Sequence, residues 1–476
     1  MNRTTTDKGR DRRRLAGKSA TGKPAPGKSM RRTGAADAGA ERRDIVAVRI
    51  EQVREVLGEV LQWSLPADAV LSRWLRQNPK LGSRDRSEVA DAVFDVLRHL
   101  RRYRHYAQSG SGPAARRLAV LGLASTLGAE RLMQSLGDAE QGWLAHVLAI
   151  RPDTLPRGVR YSLPDWLDEK LGGMADAEAL MEALNQNAPL DIRVNPLKTS
   201  RDEVLGQLQE DAYAACAAQA TPYSPWGIRL QGRPPLNRWK LFEKGEIEVQ
   251  DEGSQLLAAL VAPKRGEMII DYCAGAGGKT LLIGALMRST GRLYAFDVSA
   301  PRLARAKPRL ARSGLSNVVP VVISTGNDTR VGRLRGKAHR VLVDAPCSGI
   351  GTLRRNPDLK WRQHPESVGE LLKTQAQILR QAARCVKPGG RLVYATCSLL
   401  PEENEQQVMR FLEENPAFRL RNAGEILADR CQGLAMEDDF LRLRPDAHGT
   451  DGFFAAVLER TQESTQVVDF EEKTTN

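Results

Sequence analysis

Apolar positions change their period twice along the chain. Between Asp44 and about Ile150 they recur at three- and four-residue steps, and Val89, Val93, Leu97 and Leu100 fall on one helical face of the stretch Ser87–Arg104. Ser87 is the expected N-cap of that helix, because its hydroxyl can accept from an early backbone N–H. From about Pro152 to Gln250 the period is mixed. Leu190–Asn195 and Gly227–Leu230 alternate as strands, Arg201–Gln209 steps as a helix, and a small α+β module is expected. From Asp251 onward apolar runs and helical stretches take turns. Strands are expected at Glu267–Asp271, Arg292–Asp297, Val318–Ile323, Arg340–Asp344 and Arg391–Ala395, with helices over Lys279–Met287, Ala300–Ser313 and Glu370–Val386. Such alternation predicts an α/β fold with a doubly wound, Rossmann-like parallel sheet. Leu441–Arg444 and Gly452–Leu458, joined by a turn-rich segment, predict a closing hairpin.

Length and charge refine this division. At 476 residues the chain is too long for one ordinary domain. The parts expected are a disordered basic arm (1–44), a helical domain (45–150), a small α+β, RRM-like module (151–250), a catalytic domain (251–460) and a polar tail (461–476). Residues 1–43 hold 13 Lys and Arg against 4 Asp and Glu, so +9 of the net +13 sits in the arm. Its polar composition predicts disorder, and its charge favours nucleic-acid phosphates as partner. Two further basic groups are candidates for RNA contact. Arg98, Arg101, Arg102 and Arg104 crowd a helix end, where simple helix termination is the competing explanation. Trp226, Arg229, Arg233, Arg238, Trp239 and Lys240 interleave rings and cations, as base stacking beside phosphates requires.

Several classes are disfavoured. No apolar run reaches the roughly 18 residues of a membrane span, and the basic N-terminus lacks the apolar segment of a secretory signal. The six cysteines include no C-x-x-C pair and the six histidines no H-E-x-x-H, so no metal site is expected. Unpaired thiols fit a reducing, cytoplasmic setting.

The chemistry concentrates at strand ends. Ile269–Thr280 reads as strand, glycine-rich turn and helix start. A Walker A loop would need glycine where Cys273 stands, and a dinucleotide fingerprint beginning at Gly275 fails at Thr280. Asp297, ending the next strand, can accept from both hydroxyls of a ribose. A nucleoside without pyrophosphate fits best, and S-adenosyl-L-methionine is the common one. Arg340–Gly349 ends a strand in Asp344 and Cys347, and Leu392–Ser398 ends one in Cys397. Ligands bind outside the carboxyl ends of such strands, so both thiols should face one crevice. A thiolate that adds to carbon 6 of cytosine makes carbon 5 able to attack a sulfonium methyl group. A free thiol with pKa of about 8.5 needs help from a nearby cation for this, and Asp344 is placed to bond the cytosine edge.

Asp271–Thr280, Asp344–Asp358 and Ala395–Asn404, with Val249–Ser254 and His448–Phe454, resemble the Sun (Fmu, RsmB-like) family of RNA cytosine-C5 methyltransferases. The resemblance spans about residues 155–460. It implies a class I methyltransferase domain with Cys397 as nucleophile and Cys347 assisting product release. Cys273, Ala274, Gly275, Ala276, Gly277, Gly278, Lys279, Asp297 and Asp344 would line the S-adenosyl-L-methionine pocket. The family often has Pro at Ala276. An acidic residue after the third strand is expected at Asp328, with Asn327 as the other choice. Residues 45–150 resemble a NusB-like RNA-binding appendage, which implies 16S ribosomal RNA as partner; a monomeric chain is expected. A P-loop-like NTPase, a non-catalytic RNA-binding assembly factor and a DNA cytosine methylase using Cys347 are the alternatives.

Overall fold

The computed structural model describes residues 44–210, 213–324, 328–431 and 433–462. The expected arm up to Arg43, the tail beyond Gln462, and Asn327 lie outside the described residues.

Residues 45–150 form helices whose apolar stripes meet in one core, including Ile50, Val53, Leu57, Val93, Leu97 and Leu100. The helices Ser83–Arg98 and Ala114–Leu127 cross closely at Gly122, where a Cβ would come within 2.6 Å of Val96. Ser87 is not an N-cap. The helix starts a turn earlier, at Ser83, because the Asp85 carboxylate reaches back to the Gly82 N–H at 3.1 Å. It stops at Arg98, and a separate helix runs Leu100–Tyr106.

The next part is a four-stranded antiparallel sheet in the order β2 (Gln219–Ala220), β3 (Gly227–Leu230), β1 (Leu190–Val194) and β4 (Ile247–Val249). Helix Arg201–Leu208 is capped by Ser200 and Glu203, each bonding the other's backbone N–H.

The large sheet has eight strands: β5 (Met268–Asp271), β6 (Arg292–Asp297), β7 (Val318–Val322), β8 (Ala338–Asp344), β9 (Val386–Thr396), β10 (Phe418–Arg421), β11 (Leu441–Leu443) and β12 (Phe453–Arg460). Their order is β10-β12-β9-β8-β5-β6-β7, with β11 on β12. The five strands β9-β8-β5-β6-β7 are parallel, and β12 runs antiparallel to its neighbours. This is the class I methyltransferase architecture expected. The chain leaves β5 toward one edge through β6 and β7, then returns to the other side as β8. The reversal opens a crevice at the carboxyl ends of β5 and β8.

Three boundaries differ from expectation. β9 starts at Val386 because the segment before Arg391 bulges against β8. The helix expected over Ala300–Ser313 breaks at Arg305 into Ala300–Ala304 and Ala306–Ser313, since Pro308 lacks the N–H that would bond the Ala304 carbonyl. The helix after β8 begins at Pro365, capped by His364, rather than at Glu370. Among the described residues, no helix is long and apolar enough to cross a membrane.

Candidate active site

A cavity of about 600 Å³ lies at the predicted crevice. Its floor is the glycine loop. Gly275 (φ +55°) and Gly277 (φ +81°) take left-handed backbone that favours glycine, and a Cβ on Gly277 would stand 3.1 Å from that of Ala306. Asp297 ends β6 almost fully buried, and its carboxylate accepts the N–H of Gly275 at 2.8 Å and of Ser299 at 2.7 Å. Asp271 ends β5 and accepts the Thr280 hydroxyl at 2.6 Å through Oδ2. Its buried Oδ1 has no hydrogen-bond partner among the described residues. Burial pushes the Asp271 carboxyl up to about 7.

Of the residues singled out by sequence, Cys273, Ala274, Gly275, Ala276, Gly278, Lys279, Asp297, Asp344, Cys347 and Cys397 line this cavity. Gly277 is buried beneath the loop. Asp328 is not a wall residue. It caps a helical turn and accepts from Ser324 N at 2.9 Å and from the Arg330 guanidinium, which holds its carboxyl well below the usual range. Among the described residues the wall there is made by Ile323 and Ser324, and Asp328 bonds the latter.

The opposite side carries the thiols. Cys347 Sγ and Cys397 Sγ are 3.3 Å apart, and Cys347 Sγ also accepts the Cys397 N–H at 3.3 Å. The hydrogen bond with Cys397 raises the Cys347 thiol well above the usual thiol range, and burial adds to this. Cys273 is likewise raised by burial, which makes it a neutral wall. Lys279 Nζ lies 2.7 Å from Asp344 Oδ2. Burial works against the Lys279 charge, but Asp344 outweighs it and leaves the pKa raised, with Cys397 adding to the same effect. Lys279 is therefore a charged group on the wall that also carries the thiols. Among the described residues, no group of three or more His, Cys, Asp or Glu is arranged to hold a metal ion.

Among the cavity residues that sequence reasoning missed are four on one helix, Thr374, Gln377, Ile378 and Gln381; it also missed the buried Glu403. The four share one helical face, a visible spacing whose target only packing reveals. Glu403 stands six residues after Cys397, inside the stretch Ala395–Asn404.

Arg98 and Arg104 stand in the last turns of their helices, as helix termination predicts, but most of the cluster also turns inward. Arg98 is buried and donates to the carbonyls of Gln186 (3.0 Å) and Arg354 (3.2 Å). Arg101 bonds Leu163 O at 2.6 Å and Asp165 at 2.7 Å, and Arg102 bonds Arg160 O at 3.4 Å. These are internal docking contacts; only Arg104 is exposed. The aromatic–basic set does not form a stacking platform either. Trp239 is buried against Tyr213, Arg229 pairs with buried Asp191, and Arg233 pairs with Asp91.

Residues 258–459 match the family described as 16S rRNA methyltransferase RsmB/F, and residues 163–237 match the ferredoxin-like domain of RsmF/B-like methyltransferases. The chain is 40% identical over 309 residues to the probable ribosomal RNA small subunit methyltransferase B of Synechocystis sp., covering 64% of this chain and 68% of that protein. It is 37% identical over 317 residues to ribosomal RNA small subunit methyltransferase B of Sodalis glossinidius, covering 66% and 70%. Among solved structures, a methyltransferase homolog protein from Pyrococcus horikoshii is similar at 28% identity and a TM-score of 0.54, over 65% of this chain and all of that one. On these matches, and with the class I sheet and its glycine loop in place, this chain belongs to the RsmB/F family of 16S rRNA methyltransferases.

Proposed function

We propose that this chain transfers a methyl group from S-adenosyl-L-methionine to carbon 5 of a cytosine in RNA, with 16S ribosomal RNA as substrate and Cys397 as nucleophile. The observation that carries the reading is the pair of thiols, 3.3 Å apart, in the same cavity as the glycine loop and Asp297. That cavity suits the cofactor. Backbone without side chains at Gly275 and Gly278 permits close approach, and the Asp297 carboxylate ends the strand where ribose hydroxyls would lie. When bound, S-adenosyl-L-methionine supplies an electrophilic methyl on a sulfonium.

The chain's own residues do the rest. Lys279 provides positive charge beside Cys397. Thiolate addition to carbon 6 forms the S–C bond, breaks the ring's aromaticity and makes carbon 5 nucleophilic. After methylation, the carbon 5 proton passes to solvent water, its electron pair reforms the double bond to carbon 6 and Cys397 leaves as thiolate, so the ring regains aromaticity. Cys347, whose thiol stays protonated, assists that release. In this reading residues 45–150 are an RNA-binding appendage, 151–250 a second module, and 251–460 the methyltransferase domain.

The test is bisulfite sequencing of 16S rRNA incubated with protein and cofactor. One cytosine should become resistant to conversion in wild type and remain convertible with Cys397→Ala. Methyl incorporation without any protected cytosine would overturn the carbon 5 assignment.

A further inference from the structure

Methyl transfer through two thiols demands a fixed spacing between two loops that follow different strands. Beneath both loops lies Glu403, with none of its surface exposed. Its Oε1 accepts the Ser348 N–H at 2.8 Å and the Gln375 side-chain N–H at 2.9 Å. Its Oε2 accepts the hydroxyls of Ser348 and Ser398. Four donors onto two oxygens satisfy a buried carboxylate in full. Ser348 follows Cys347 and Ser398 follows Cys397, so a single carboxylate fastens both thiol-bearing loops. The two hydroxyls are themselves 3.1 Å apart.

We propose that Glu403 is a positioning residue for methyl transfer, fixing the spacing of Cys347 and Cys397 through Ser348 and Ser398. The inference rests on the function proposed above. The carboxylate also acts electrostatically. The Cys347 thiol is raised first by its hydrogen bond with Cys397 and then by burial, and the Glu403 charge adds to both. One thiol of the pair is thus kept protonated while its neighbour is free to attack.

Two variants separate geometry from charge. Glu403→Gln keeps the shape, removes the charge and turns an N–H₂ toward donors it cannot serve. Ser348→Ala/Ser398→Ala keeps the charge and removes both hydroxyl links, so the Cys397 loop is released while Ser348 keeps only its backbone N–H bond. Both should lose at least about tenfold in kcat, as small misplacements of reacting groups do, with KM for RNA and Kd for S-adenosyl-L-methionine within about twofold of wild type. In Glu403→Gln alone, alkylation of Cys347 by iodoacetamide, followed by mass spectrometry without RNA, should begin at lower pH, because a nearby negative charge is gone. Turnover within threefold of wild type in both variants, or a kcat loss that merely tracks the folded fraction by circular dichroism, would overturn the inference. If Glu403→Gln does not fold, the serine pair decides alone. Cys397→Ala runs alongside. If it still methylates, the nucleophile assignment falls; if it is inactive while both strap variants turn over normally, only the role of Glu403 falls.

Discussion

Two places in this molecule bury Lys, Arg and Asp, and they use them in opposite ways. In the crevice at the ends of β5, β8 and β9, charge faces charge across open space. Lys279 meets Asp344 at 2.7 Å, and Asp271 keeps a buried oxygen without a partner among the described residues. In the seam where residues 45–150 meet the segment after Cys347, charge ends on neutral acceptors. Lys360 Nζ donates to Arg98 O at 2.9 Å, to Ser162 O at 3.4 Å and to the Asn185 side chain. Arg98 ends on carbonyls, Trp361 donates to Leu97 O at 3.0 Å, and Asp358 accepts the Ala67 N–H at 3.2 Å. The consequence for the two lysines is opposite: Asp344 holds Lys279 above the ordinary lysine value, whereas burial drives Lys360 well below it. Cations opposed by carboxylates remain available for chemistry. Basic side chains spent on carbonyls act as adhesive.

The sharpest way to break this contrast is at the thiol. Cys397→Ala should lower methyl transfer by about 10³-fold or more, since loss of a covalent nucleophile removes the whole pathway. Cofactor affinity measured by calorimetry should stay within about twofold. Residual turnover of a few per cent would move the nucleophile elsewhere.

Asp297→Ala comes next. It removes an acceptor from the cofactor side and frees the Gly275 and Ser299 N–H groups, so S-adenosyl-L-methionine should bind about 1–3 kcal/mol more weakly. Unchanged affinity in a titration would take Asp297 out of the pocket.

The seam should respond in stability instead of activity. Lys360→Met leaves the Arg98 and Ser162 carbonyls unpaired and should cost about 1–3 kcal/mol at neutral pH, with turnover at saturating RNA retained. The pH dependence has a definite sign. Burial lowers the folded-state pKa of Lys360, with Arg98 and Arg102 adding to the effect. Above that depressed value and below about 10.4, the unfolded chain binds a proton that the folded one does not, so stability rises with pH. The gap in melting temperature between wild type and Lys360→Met should therefore widen as pH is raised through this window. A gap independent of pH would show that Lys360 remains charged in the fold.

The smallest effect concerns RNA attraction. With Arg98, Arg101 and Arg102 spent internally, residues 1–43 still carry +9 of the net +13. Deleting these residues should flatten the salt dependence of RNA binding, by about 0.7–0.9 in log–log slope for every phosphate that the shortened chain leaves unneutralised. An identical slope after truncation would assign the attraction to residues 44–476.

Local pattern alone determined a good deal about this protein. Strand periodicity, the glycine turn, Asp297 and the two cysteine motifs each lie within a few residues of a strand end. In a parallel sheet a strand end is a location, so Cys347 and Cys397 were brought to one crevice before any packing was known. The sequence could not say what the far side of each residue would meet. Ser87 lost its cap because Asp85 fastens a helix start one turn upstream, at Ser83. Trp239 turned inward to Tyr213, and Arg98 found carbonyls contributed by residues 186 and 354. Glu403, one more acid in a polar stretch, became the point where Ser348 and Ser398 join. Tertiary structure decided these because burial and hydrogen-bond partnership belong to pairs of residues far apart in the chain, and a cation reads the same in sequence whether it will face a carboxylate, a carbonyl or water.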